Sequence, residues 1–253
     1  PSGWLDRIEP ILIEPDSANP KDWRDGHVWY ADPQHTILRL TQHVAVELMV
    51  NTKLVQPKDI PTWKSLLDPK WKGKLLVKDP RQPGAGQSLN SYFYIYFGPD
   101  FIHRLYIDQQ PVFSGDGRQG AQWLAQGNYP IWVGGEWGQL DAFRKLGYPV
   151  APVSPTDGPG ILTGSFGMVS LMNRAPHPNA AKLFVNWMAS REGSAEFAKG
   201  LLSASLRTDL KQPWMPAFEL PQPGRKYVDT YDYKFITVDR DEALAKFKAL
   251  LGL

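Results

Sequence analysis

The stretch Asp79-Pro-Arg-Gln-Pro-Gly-Ala-Gly-Gln-Ser88 sets Gly84 and Gly86 directly before an apolar helical pattern. Glycine at such a place lets backbone N–H groups come close to a ligand, at a helix start whose dipole favours a negative group. Gly84, Gly86, Gln87 and Ser88 are therefore candidate ligand contacts. A plain strand-to-helix turn would use the same glycines, and no Gly-Lys-Ser/Thr follows to make a phosphate-binding P-loop. A second helix start, Ser114-Gly-Asp-Gly-Arg-Gln119, adds Arg118 and Gln119. The arginine fork can grip a carboxylate or phosphate bidentately, or be spent on an exposed salt bridge.

Catalytic chemistry finds no comparable arrangement. The histidines at 27, 35, 43, 103 and 177 lack the i, i+4 pairing and the carboxylate neighbours of a helical metal site, so no metal and no cofactor is expected. Glu192 and Glu196 fall on one helix face in water, Asp229 and Asp232 suggest little more, and Ser165 in TGSFG lacks the final glycine of a nucleophile elbow. No catalytic residue is assigned. Cysteine is absent, which excludes a disulfide framework, a thiolate zinc site and a cysteine nucleophile together. The 28 basic and 26 acidic residues interleave along the chain, so no tract selects nucleic acid or an anionic membrane. No apolar run approaches the roughly 20 residues that span a bilayer.

The elements that must position these residues are legible from periodicity. With 253 residues, 42% of them apolar, the chain exceeds what one core usually organises, and two lobes are expected. Prolines at 1, 10, 15, 20 and 33 forbid a long helix in the first 35 residues. Residues 44–50, VAVELMV, read as one buried strand. A short helix after Pro61, a strand at 74–77, helices near 89–96, 118–126 and 136–146, and strands at 130–133 and 150–153 alternate as helices covering a sheet do, which gives an α/β class. Residues 166–172 read as a strand. The helix after Pro178 sets Leu183, Phe184, Trp187 and Met188 on one apolar face, a second helical piece closes at Gly200, and a last amphipathic helix covers 241–251. Aromatic residues concentrate at 23–30, 92–97 and 123–137, where they fill cores or line a ligand cleft.

Four segments in order, PTWKSLLDPKWKGKLLVKDP, DPRQPGAGQS, GNYPIWVGGEWGQLDAFRKLG and RAPHPNAAKLFVNWMASREGSAEFAKG followed by SLRTDL, resemble the extracellular solute-binding proteins of ferric, polyamine and related ABC importers over roughly residues 44–210. The resemblance implies a two-lobed type II periplasmic-binding architecture that closes by hinge motion on a small polar solute. Lobe 1 would combine 1–50 with 162–253 and lobe 2 would be 52–160, with hinge crossings near 44–51 and 161–166. It further implies a periplasmic, exported monomer with its signal peptide absent from this chain, and an inner-membrane ABC permease as partner. Nothing before residue 44 matches the strand, helix and strand with which such proteins open, so the first lobe is expected to lack its N-terminal portion and to leave apolar faces uncovered. Ferric members carry adjacent tyrosines in the turn that here reads Gly134-Gly-Glu-Trp-Gly138. Glu136 and Trp137 in their place disfavour tyrosine-ligated iron and suggest an amine or hydroxyl contact and a stacking platform. At the second crossing Thr163 and Ser165 offer hydroxyls, or ordinary turn chemistry. A carbohydrate-active hydrolase using Glu136, or a sensor ectodomain, are the alternatives to transport.

Overall fold

A computed structural model describes residues 3–29, 33–82, 84–164 and 166–252. The chain runs through β1 (Leu5–Asp6), α1 (Pro15–Ala18), β2 (Ile37–Arg39), β3 (His43–Val44), β4 (Leu48–Asn51), β5 (Leu75–Lys78), α2 (Ala85–His103), β6 (Val112–Ser114), α3 (Gly117–Gln126), β7 (Ile131–Val133) and α4 (Trp137–Lys145). It continues through β8 (Val150–Val153), β9 (Gly160–Thr163), β10 (Met168–Met172), α5 (Pro178–Ala189), α6 (Arg191–Gly200), β11 (Tyr227–Asp229) and α7 (Arg240–Leu251). Two compact units result: unit 1 holds 1–44, 162–224 and 229–234, and unit 2 holds 45–161, 225–228 and 235–253.

Unit 2 is built on a five-stranded sheet of order β6-β5-β7-β4-β8, in which β5 pairs in parallel with β6 and β7 while β4 runs antiparallel to β7 and β8. Leu75, Leu76 and Val77 are all fully buried, as a central strand covered on both faces requires. α2 starts beyond the β5 turn and kinks where Gly98 (φ 78°) precedes Pro99, which has no N–H to continue the ladder. Its apolar side joins Trp63, Trp71 and the sheet in one core.

Unit 1 contains a three-stranded antiparallel sheet of order β1-β10-β2. Ile8, Leu12, Trp23, Leu38, Leu40 and Leu171 pack there with Val185, Met188 and Ala189 of α5. The junction of α5 and α6 is tight, since a Cβ on Gly193 would lie 1.9 Å from the carbonyl oxygen of Trp187.

Three sequence expectations are corrected. The strand expected over 44–50 is two strands, β3 in unit 1 and β4 in unit 2, because residues 45–47 leave the ladder where the chain passes from one unit to the other. The lobe expected to take everything after residue 162 does not take the C-terminus. Residues 225–228 and 235–253 belong to unit 2, where Phe247 of α7 is 1% exposed and meets the Tyr106 ring edge-on at 5.4 Å. The face of α5 expected inside is largely outside: Leu183, Phe184 and Trp187 are exposed, and the neighbouring face with Val185, Met188 and Ala189 is buried instead. This helix is apolar nearly all round, so periodicity alone could not choose the face that unit 1 covers.

Candidate functional site

The parallel strands β5, β6 and β7 end at one edge of the unit 2 sheet, and each is followed by a helix that starts at that edge: α2, α3 and α4. The edge beyond the carboxyl ends of parallel strands is where open α/β sheets bind ligands. The eight candidates Gly84, Gly86, Gln87, Ser88, Arg118, Gln119, Glu136 and Trp137 all belong to unit 2 and lie at these three turns.

In the first turn Gly84 has φ 104° and ψ −137°, a backbone region that glycine alone enters without strain. Gly86 is buried, and a Cβ on it would lie 2.6 Å from the Asp79 carbonyl oxygen. Both glycines are thus demanded by the turn and by the close approach of α2 to the end of β5. Gln87 and Ser88 sit partly buried in the first helical turn; the Ser88 N–H donates to the Gly84 carbonyl at 3.1 Å, so the open donors of this helix start are the N–H groups that precede it. Asp79 accepts from the backbone N–H of Arg81 (2.9 Å) and from its Nε (2.8 Å) and Nη2 (2.7 Å). The Arg81 side-chain hydrogen bonds hold the Asp79 carboxyl below the usual carboxylate range.

The second turn is differently satisfied. Asp116 caps α3 by accepting from the N–H groups of Arg118 (2.8 Å) and Gln119 (3.2 Å), so this helix start is already occupied by the protein's own carboxylate. The side chains of Arg118 and Gln119 remain exposed. Lys78 Nζ donates to the Gly115 carbonyl at 3.1 Å and ties the first turn to the second. Gln139 ties the second to the third: a Cβ on Gly117 would lie 2.4 Å from its Oε1, and its Nε2 donates to Glu136 Oε2 at 3.3 Å. The Gln139 Oε1 is buried without a partner. In the third turn Glu136 is exposed at the N-cap of α4, whereas Trp137 is 6% exposed and packs inside unit 2, offering little of the ring face expected of a stacking platform.

A residue that belongs to none of these motifs stands beside this turn. Glu47 lies just before β4, and its carbonyl accepts the N–H of Gly134 at 2.7 Å. Its Oε2 is buried with no hydrogen-bond partner. Burial, with a smaller push from the Glu136 carboxylate and an opposing pull from Lys78, drives its carboxyl up to about 8, so Glu47 is mostly protonated at pH 7. The signal in the sequence was one acid inside the apolar run VAVELMV.

Thr163 belongs to unit 1, in β9 opposite His43, and Ser165 lies outside the described residues. The notable side chain of this neighbourhood is Arg39, 1% exposed, whose Nη1 meets Asp229 Oδ2 at 2.6 Å while its Nε and Nη2 have no partner. Gln42 Nε2 also donates to Asp229 Oδ2, at 2.9 Å, which fixes that aspartate as a structural acceptor. Among the described residues no three His, Cys, Asp or Glu side chains gather as a metal ligand set.

Residues 10–195 match the family model described as bacterial extracellular solute-binding protein. An uncharacterised protein of Haemophilus influenzae is 28% identical over 194 residues, which are 74% of this chain and 54% of that protein, so the chain spans about half the length of this curated relative. Among solved structures, the periplasmic binding protein AfuA from Actinobacillus pleuropneumoniae, with exogenous fructose-6-phosphate bound, superposes with a TM-score of 0.67 at 22% identity, over 99% of this chain and 77% of that one. Iron-bound HitA from Pseudomonas aeruginosa superposes with a TM-score of 0.67 at 18% identity, over 100% of this chain and 78% of that one. These likenesses establish the α/β fold of the periplasmic binding proteins. None of the described helices is long and apolar enough to cross a membrane. With the family model covering most of its length, the chain belongs to the bacterial extracellular solute-binding proteins.

Proposed function

We propose that this chain captures a small, hydroxyl-rich anionic solute, of which a sugar phosphate is the type, at the carboxyl edge of the unit 2 sheet, and hands it unchanged to the permease of an ABC importer. One observation carries the reading: three strand-to-helix turns meet at that edge, with the open helix start at Gly84–Ser88, the Lys78 ammonium and the exposed Arg118 fork all suited to an oxyanion. The exposed Glu136 supplies a carboxylate acceptor for hydroxyl groups on the same edge. The bound fructose-6-phosphate of AfuA, a protein of the same fold, supports this chemistry. The turn at 134–138 holds no tyrosine, which favours an organic anion over tyrosine-ligated iron. Membership of a family of extracellular solute-binding proteins supports an exported protein and binding without turnover.

Calorimetric titration with fructose-6-phosphate tests it. The chain is expected to bind the phosphate ester, and Arg118→Ala to weaken binding by about tenfold or more, the usual worth of a charge-assisted hydrogen bond. Binding that is equally strong for fructose and its phosphate, and indifferent to Arg118→Ala, would remove the oxyanion role assigned to this edge.

A further inference from the structure

The glycines of the Asp157-Gly-Pro-Gly160 segment are not used by the turns above, yet the structure needs both. A Cβ on Gly158 would lie 2.4 Å from Tyr92 Oη, and one on Gly160 would lie 2.5 Å from the Tyr227 ring and 3.3 Å from Arg225 Nε. Their bareness lets the chain at 156–159 and 225–227 close on the rings, and Thr156, Gly158, Pro159 and residues 225–227, with Tyr96 of α2, line a cavity of about 590 Å³ within unit 2. That volume falls inside the range of small-molecule sites.

The lining has one sign of charge. Among the described residues, Arg225 and Lys226 are its only ionisable groups besides the tyrosines, and no carboxylate lines it. The nearest acid in sequence, Asp157, is committed to the N–H groups of Trp63 (2.8 Å) and Lys64 (3.1 Å). Arg225 is held in place, its Nη2 donating to the Pro155 carbonyl at 2.9 Å and its guanidinium lying 5.7 Å from the Tyr227 ring centroid, which leaves further N–H donors of its fork. Tyr96 is 44% exposed. Behind it the fully buried Tyr92 donates to the Pro159 carbonyl at 2.8 Å and packs 5.0 Å from the Tyr96 centroid, so the wall is rigid and aromatic.

We propose that unit 2 carries a second small-molecule site in this cavity, which takes a small aromatic anion: a flat body against the Tyr96 and Tyr227 rings and a phosphate or carboxylate at Lys226 and Arg225. The site is distinct from the glycine-turn edge, because Tyr96 lies 12 residues beyond Gly84, about 18 Å along the axis of α2.

The test titrates the chain with adenosine 5′-monophosphate and with benzoate, which separate the phosphate from the carboxylate, and with adenosine and inorganic phosphate as the two halves of a ligand. At least one of the first two is expected to saturate with a Kd below about 1 mM, and the halves to bind about tenfold more weakly. Lys226→Ala and Tyr96→Ala, each checked by circular dichroism for an unchanged fold, are expected to weaken the aromatic anion by about tenfold as well. Excess fructose-6-phosphate is expected to leave its Kd unchanged, so that failure here and failure of the edge site read differently. Neither anion saturating up to about 10 mM, binding untouched by both substitutions, or direct competition by the sugar phosphate would overturn the second site.

Discussion

Replacing Arg207 by methionine is expected to destabilise unit 1 by about 3–5 kcal/mol, the usual cost of breaking a buried ion pair from one side. Arg207 is 1% exposed and spends its whole fork inside the unit. Nε and Nη2 grip Asp209 at 3.0 and 2.8 Å, Nη2 also reaches Asp16 Oδ1 at 2.7 Å, and Nη1 donates to the carbonyls of Asp16 (2.7 Å) and Ala189 (2.9 Å). The Trp23 ring lies 5.5 Å from the guanidinium. One side chain thus joins α1, the end of α5 and the segment after α6. Methionine fills much of the volume but leaves the two carbonyls without their donor, and lysine would restore the charge without the planar fork, so Arg207→Lys should recover only part of the loss. Hydrogen exchange reads the effect locally: amides of β10 and α5 should lose protection while those of β5 and β7 keep it. A loss under about 1 kcal/mol would show that the network is ornamental. The same bonds carry a pH signature. Hydrogen bonding from Arg207 holds the Asp209 carboxyl below its ordinary range, so this stabilisation is present above the unfolded carboxylate pKa of about 4 and is lost as pH falls through the lower folded value.

The second large effect runs the other way with pH. Burial lifts the Glu47 carboxyl from 4.5 to about 8, so between these values the folded chain holds a proton that the unfolded chain has released. Stability should therefore fall as pH rises through this window and level off above it. At about 1.4 kcal/mol per tenfold change in proton affinity, the whole window amounts to roughly 5 kcal/mol, less what residual water screens. Glu47→Gln keeps the shape and abolishes the titration. The variant should match the parent near pH 4 and exceed it at pH 9, in denaturant melts run across the range. A side-chain carbon resonance of Glu47 that titrates near the ordinary 4.5 would contradict the placement of this carboxyl beside Glu136 in a water-poor pocket.

How much of this was legible in the sequence depends on what each feature rests on. α3, α5, α6 and α7 follow from local periodicity and their proline, glycine or aspartate boundaries, and the structure places them within a residue or two of expectation. The edge of the unit 2 sheet was legible as three turns, because glycine and a polar residue before an apolar helix is a local pattern. What local pattern cannot carry is partnership. The apolar faces of α5 look alike in sequence, and only the position of Ile8, Leu12 and Leu171 decides that Val185 is inside and Trp187 outside. The return of α7 to unit 2 depends on Phe247 meeting Tyr106, a contact 141 residues apart in the chain. Glu47 and Arg39 were passed over for the same reason: a lone charge in an apolar run states that something unusual is buried there, and the identity of its neighbours comes only from the fold.

The central claim is that the chain holds a small polar anion and does nothing to it. Native mass spectrometry of the 253-residue chain, incubated with fructose-6-phosphate and compared with the denatured mass, tests this most directly. A one-to-one adduct that disappears on denaturation and releases the sugar phosphate at its original mass is the predicted result. A chain that retains no adduct with the sugar phosphate, or that releases it shortened by its phosphate, would contradict the claim, the first by denying the binding site and the second by making the protein an enzyme.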